Sequence, residues 1–337
     1  MQKLITVNTL EQQQYAKFLQ KQKQWSFSIQ NLDFKDINIH RPNLHYLLVR
    51  DNSDVVGRCS LWWEKTPSLP DHQVGLIGHY AVTDAEAAAD LLDAACTQLK
   101  ASGCTLAIVP MDGNTWNSYR LLVERGKHPV FFLEPDNPDD WPQHFGDRNF
   151  KILANYTSAL NTNLSQTDDR LHKVSQRLNK IGVSIRSANL QSFELELHKI
   201  YDVAIQSFRH NFLFTSISET EFITRYLSLL PYVQPELVLI AEHNDNPVGF
   251  IFAIPDFLQK IRGENINTII IKTVAIIPNR IYAGLGNLLV AKCQQIAVQL
   301  GYSQAIHALM HDNNPSINLS KRYAQTIRRY RLFAKEL

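Results

Sequence analysis

No apolar run in this 337-residue chain is long and unbroken enough to span a bilayer, so a membrane partner is not expected. The N-terminal Met1-Gln-Lys-Leu-Ile-Thr6 lacks the apolar core of a secretory signal. Cysteine is scarce: Cys59, Cys96, Cys104 and Cys293 lie in apolar stretches without paired metal spacing. They read as reduced core thiols of a cytoplasmic protein, not as metal ligands or a catalytic nucleophile, and no metal is expected. Charge of one sign is also missing. A net charge of +2 is too small for nucleic acid to be the main partner. The length and a hydrophobic content of 45% suit two cores of ordinary size.

The informative stretch is Thr268-Ile-Ile-Ile-Lys-Thr-Val-Ala-Ile-Ile-Pro278, followed by Asn279-Arg-Ile-Tyr-Ala-Gly284-Leu-Gly286-Asn-Leu-Leu289. It predicts a β-branched strand running into a glycine loop that opens a helix. Such a loop turns tightly and leaves backbone N–H groups unpaired, an arrangement that holds a phosphate or pyrophosphate. The residues after the second glycine exclude two nucleotide motifs. A Walker loop needs Lys and then Ser or Thr, where Asn287-Leu288 stands; a dinucleotide fingerprint needs a third glycine, where Leu289 stands.

What remains resembles motif A of the GNAT acyltransferase superfamily, a strand ending in V-x-x-x-P and then Q/R-x-x-G-x-G/A. Here it reads Val274-Ala-Ile-Ile-Pro278 and Ile281-Tyr-Ala-Gly284-Leu-Gly286, with Ile281 at the Gln/Arg position and Arg280 one residue early. The surroundings fit the same family. Leu237–Glu242 and Pro247–Ile254 read as a hairpin, Leu285 to Leu300 as a helix ending at Gly301, and Gln304–Met310 as a fifth strand, with a short helix around Ser316 to Tyr323. The resemblance implies acetyl-CoA, or another acyl-CoA, as cosubstrate and the amine of a small molecule as acceptor. It further implies pyrophosphate binding on the amides of Ala283, Gly284, Leu285, Gly286 and Asn287, with Arg280, Tyr282 and Asn318 as additional contacts. The pantetheine arm would pair along Val274, Ala275 and Ile276, with the N–H of Val274 or Ala275 facing the thioester oxygen.

An internal repeat supports two such units. Leu47–Asp51 and Val55–Trp62 repeat the hairpin, with Gly57 and Gly249 lying 192 residues apart; Gly75–Val82, a Leu91-to-Leu99 helical stripe and Cys104–Val109 repeat the rest. The expected fold is therefore α/β with mixed sheets, in two tandem GNAT-like domains: a degenerate one over 1–163 and a cofactor-binding one over 164–337. At the first copy's strand-to-helix junction, Thr83-Asp84-Ala85-Glu86, carboxylates stand where glycines would be, and they would repel a phosphate.

His307 and His311 are candidate bases because imidazole titrates near neutrality, and a regular strand would place both on one face. The resemblance implies a tyrosine acid on the following helix, where Tyr323 lies. Acceptor candidates are Asp112 and Asn114 in a turn-rich segment of the first copy, and His210, Phe212 and Phe214 in the loop Phe208–Ser216. The basic group Lys321, Arg322, Arg328, Arg329, Arg331 and Lys335 reads as a solvated strand edge rather than an anion site. Two further function classes stay open: a GNAT-like transferase drawing on aminoacyl-tRNA, and a non-catalytic acyl-CoA sensor. Oligomeric state is not legible.

Overall fold

The computed structural model describes residues 3–6, 39–50, 54–166, 168–313, 320 and 323–337. The first half contributes β1 (Lys3–Thr6), β2 (Leu44–Arg50), β3 (Asp54–Trp62), β4 (Val74–Val82), α1 (Ala85–Ala101), β5 (Leu106–Val109), β6 (Leu121–Glu124), α2 (Trp141–Asp147) and β7 (Lys151–Asn161). The second half follows with α3 (Arg170–Lys180), β8 (Val183–Ser187), α4 (Phe193–Phe208), α5 (Glu219–Leu227), β9 (Val238–His243), β10 (Asn246–Pro255), α6 (Phe257–Ile261), β11 (Thr268–Ile276), α7 (Leu285–Gln299), β12 (Gln304–His311) and β13 (Gln325–Glu336). The order β2-β3-β4-α1-β5 recurs as β9-β10-β11-α7-β12, with the short α6 inserted between β10 and β11. The second hairpin turns at Asn244 and Asp245, both at positive φ, as a tight two-residue turn requires.

Strand exchange makes one sheet of the two halves. The observed order is β1-β2-β3-β4-β5-β13-β7-β12-β11-β10-β9-β8, with β6 also on β13. The last strand of each half thus lies against the other half: β13 pairs β5 and β6 of the first, and β7 pairs β12 of the second. β7 and β13 pair with each other from Gln325↔Leu160 to Ala334↔Lys151, at the centre of the sheet. For Arg328, Arg329, Arg331 and Lys335, which lie on β13, the reading as a strand edge is therefore corrected, while Lys321 and Arg322 lie outside the described residues. Arg328 is buried and ion-paired with Glu134, and Arg329 pairs with Glu124. In the second half, α7 covers one face with Leu285, Leu289, Cys293 and Ala297, while α4 and α5 cover the other with Leu197, Ile200, Phe222 and Tyr226. All four cysteines are buried and reduced. Among the described residues no helix is long and apolar enough to cross a membrane.

Candidate active site

The site is a wedge opened by the backbone. β11 and β12 run parallel and pair from Thr268↔Gln304 to Ile271↔His307, and then separate. At that point β11 carries an extra residue relative to β10, because Ile271 faces Ala253 while Thr273 faces Phe252. The extra residue is Lys272. A bulge sharpens strand twist and breaks pairing, which is how β11 leaves its neighbour. Beyond it, Ile277 donates its N–H to Val248 on β10, so by alternation the amides of Val274 and Ile276 point away from β10, into the wedge. Ala275 donates toward β10, which removes it as a donor to a thioester oxygen. Ser207 Oγ at the end of α4 accepts the Ile276 N–H at 3.1 Å. That leaves Val274 as the strand amide facing the wedge.

The glycine loop sits at the wide end of the wedge. Gly284 has φ +82 and precedes α7 without any side-chain cap, and the first helical hydrogen bond is Leu288 N to Gly284 O at 3.0 Å. The amides of Gly284, Leu285, Gly286 and Asn287 have no acceptor within the described residues. Four free donors at the positive end of a 15-residue helix form an anion site that fits a pyrophosphate. The side chains of Tyr282 and Leu285 turn into the core, Tyr282 bonding His243 at 2.9 Å, so their contribution to the loop is backbone only. Arg280 is exposed. Asn318 lies outside the described residues, as does most of the expected helix around it.

Helix α3 adds a component that the motif did not predict. Arg177 donates Nη1 to Ile281 O at 2.6 Å and Nη2 to Ala283 O, and Val174 packs against Gly284. The motif's missing Gln or Arg is replaced in space by a guanidinium from a helix about a hundred residues earlier.

Lys272 is the functional candidate that sequence reasoning missed. Burial, and secondly the charge of Arg120, push its pKa down from 10.5 to about 8. Arg120 reaches across from the first half, donating to Leu309 O on β12 at 3.0 Å while its guanidinium lies over the rings of Tyr119 and Tyr156. Lys272 and Arg120 thus approach each other where the wedge opens, with no carboxylate within ion-pair distance of either among the described residues. The signal in the sequence was a single charge inside a β-branched strand.

The two histidines do not share a face. β12 has its own bulge: His307 faces Ala159 on β7 while His311 faces Tyr156, an odd number of residues away, and Leu309 between them has φ +57. His307 is buried against α7, its Nε2 3.0 Å from the Gln294 amide. His311 lies on the opposite face against Tyr156 and Phe212. Burial pushes the pKa of His307 down to about 4. The fold therefore holds a neutral ring, and stability fully present above the ordinary value near 6.5 is lost as pH falls to about 4, by ~3 kcal/mol. Urea melts at pH 7 and pH 4.5 should show that loss reduced in His307→Gln. An equal loss in the variant would place the acid sensitivity elsewhere.

Tyr323 hydrogen-bonds Asp168 ahead of α3. Of the acceptor candidates, Phe212 and Phe214 lie beside His311 and Trp116, where the loop of the second half docks on the first through Trp116 Nε1 to Thr215 O at 2.8 Å. His210 is exposed and receives a hydrogen bond from Arg209. Asp112 and Asn114 do not line this wedge. Asn114 caps its own turn by accepting from Trp116 and Asn117, and Asp112 is buried inside the first half.

The first half's own wedge is closed. Its β4 and β5 also separate after three pairs, but Asp112 fills the gap, accepting the His79 N–H at 2.6 Å. At the head of α1, Asp84 accepts from Ala87 N at 3.0 Å, and Arg50 pairs with both Asp84 and Glu86. The helix end that would meet a phosphate already holds carboxylates.

A split parallel pair, an uncapped glycine loop and a second, closed copy define a tandem protein of the acyltransferase fold. Residues 197–324 match the family model described as Acetyltransferase (GNAT) family. The GNAT match thus falls on the second half, and the first half repeats the order of elements without the glycine loop. It is similar to Protein YghO of Escherichia coli (strain K12), at 26% identity over 196 residues, which are 56% of this chain and about half (49%) of that protein. In structure it resembles a tandem GNAT protein from the clavulanic acid biosynthesis pathway, at 10% identity and a TM-score of 0.55, covering 100% of this chain and 98% of that one. It also resembles a conserved protein of unknown function from Enterococcus faecalis V583, described as a probable N-acyltransferase, at 10% identity and a TM-score of 0.57, over 100% and 73% of the two chains. At such identities the structural likeness establishes the fold.

Proposed function

We propose that the chain is a coenzyme A-dependent N-acyltransferase acting on the amine of a small molecule, with the cofactor bound by the second half alone. The observation that carries this reading is the set of four free amides at the head of α7, aligned with the wedge that exposes the Val274 N–H. Acyl-CoA bound there supplies the acyl group as a thioester open to attack by an amine. The amides of Gly284 to Asn287 hold the pyrophosphate, helped by the Arg177 charge. Val274 N–H orients the carbonyl and stabilises the charge that develops on its oxygen. Lys272, titrating near 8, takes the proton from the incoming ammonium. His311, with Phe212 and Phe214, lines the acceptor side, whereas His307 serves the core. Two of the six basic residues on which the tRNA-dependent alternative would draw, Arg328 and Arg329, are paired with Glu134 and Glu124.

Gly286 supplies the test. A Cβ there would meet only Ile276 and Val274 side chains at an ordinary 3.7 Å, so a larger residue fits. A glutamate in the first turn of α7 is favourable to the helix yet stands where phosphate must bind. Gly286→Glu should melt like the wild type while weakening acetyl-CoA binding by about 100-fold, close to 3 kcal/mol, in calorimetry. Wild-type binding with no thiol release from a panel of amines would make the protein a sensor. No wild-type binding of acetyl-CoA or longer acyl-CoAs would sink the cofactor assignment.

A further inference from the structure

The closed wedge of the first half contains a cluster that the proposed transferase does not use. His40, just ahead of β2, His79 at the bulge of β4, and Asp112 after β5 each bring one donor atom within 4.8 Å of the other two. We propose that these three side chains bind a divalent transition-metal ion, zinc by donor type, and that the ion clamps the first half's wedge shut.

The two histidines are hydrogen-bonded to each other, and a shared ion would replace that bond while drawing in the Asp112 carboxylate. His40 Nδ1 and His79 Nε2 are 2.7 Å apart, and His79 Nε2 and Asp112 Oδ2 are 3.8 Å apart, too long for a hydrogen bond. Tetrahedral zinc, with bonds near 2.0–2.1 Å, spaces its ligand atoms by about 3.3 Å, between these two values. Shifts of roughly half an ångström would bring these two distances to that spacing, and the third pair, His40 and Asp112, lies within 4.8 Å.

The groups behind the ligands set their orientation. Ser60 Oγ lies 2.7 Å from His79 Nδ1 and 2.6 Å from His45 Nδ1. When Ser60 donates to His45 it accepts from His79 Nδ1–H, and the His79 Nε2 lone pair then accepts from His40 Nδ1–H; a metal takes the place of that proton once His40 carries its hydrogen on Nε2 instead. Asp112 is fixed through its other oxygen by the His79 amide. Trp62 Nε1 donates to His40 O at 2.9 Å, holding that residue in place. The backbone is strained to make this approach: His79 has φ +46, and a Cβ on Gly78 would lie 2.3 Å from Met111 O.

One group opposes binding. Arg58 is buried on the same face of β3 as Ser60, and its charge disfavours a cation. A set of two imidazoles and one carboxylate still suits zinc, at lower affinity than a thiolate site. Nothing in the sequence marks it, because the ligands are separated by 39 and 33 residues and match no motif. The proposal departs from the expectation of a metal-free protein.

Full-length protein stripped with a chelator and dialysed should bind one equivalent of Zn2+ with a dissociation constant of roughly 10 μM or tighter in calorimetry. Co2+ should give the visible absorption bands of a tetrahedral site, and Zn2+ should raise the melting temperature. His40→Gln, at the half-exposed ligand, should fold normally and bind Zn2+ at least ~100-fold more weakly, and Ser60→Ala ~10-fold more weakly. Two results would overturn the proposal: no saturable Zn2+ binding by the wild type in that range, or Zn2+ binding by His40→Gln and Asp112→Asn as tight as that of the wild type, which would assign the metal to surface histidines.

Discussion

Lys272→Met should lower kcat by roughly 10²- to 10⁴-fold while leaving acetyl-CoA affinity unchanged, the range expected when a general base is removed and the cofactor contacts remain. Lys272 lies at the bulge where β11 leaves β12, half-buried, with Arg120 pressing on its charge. Its pKa near 8 also sets the pH dependence. A base acts when deprotonated, so kcat/KM should rise with pH and level off above about 8, and this limb should vanish in the variant. Lys272→Arg separates the roles. Arginine keeps the positive charge but does not deprotonate at these pH values, so it should be as inactive as methionine. A Lys272→Arg enzyme with wild-type kcat would show that the position needs a charge and not a base. An active Lys272→Met enzyme would leave His311 or water to take the proton.

The elements themselves were legible because each is written locally. The β-branched run of β11, the apolar stripe of α7 and the glycines at its start specify strand, loop and helix in sequence order. What surrounds them was not. The bulge in β12 that puts His307 and His311 on opposite faces is one extra residue opposite β7, and nothing in Gln304–His311 marks it. Arg177 reaches the glycine loop from a helix that could be read only as amphipathic. Asp112 was visible as a polar residue in a turn, but its place in the closed wedge depends on where β4 and β5 part.

The two copies differ in a physically coherent way. In the second, glycines and an uncapped helix leave donors unpaired at the wedge; in the first, Asp84 and Asp112 accept from backbone donors within the chain, and Glu86 adds a charge paired with Arg50. The same fold therefore carries one open and one closed wedge. The exchange of β7 and β13 was the least legible feature, since a strand's sequence does not name its neighbours. It has a measurable energetic consequence.

Glu134→Ala should cost about 3–5 kcal/mol of stability, the range for breaking a buried ion pair from one side. Glu134 and Arg328 are both fully buried, with Nε to Oε1 at 3.0 Å. The Tyr330 hydroxyl donates to the same carboxylate oxygen, and Phe131 N donates to the other at 3.1 Å. Arg328 and Tyr330 belong to β13, the last strand of the second half, while Glu134 belongs to the first. Removing the carboxylate strands a guanidinium in the centre of the sheet, where water cannot reach it. Because β13 pairs with strands of both halves, the loss should lower a single unfolding transition seen by probes in either half, not melt one half ahead of the other. Arg328→Met should be comparably costly, and the Glu134→Leu/Arg328→Met double variant should recover most of the loss, since an apolar pair removes both buried charges. Urea melts of the wild type, Glu134→Leu, Arg328→Met and the double variant measure the cycle. A single-variant cost below about 1 kcal/mol would mean that water reaches the pair and that the exchanged strand is held by its backbone pairing alone.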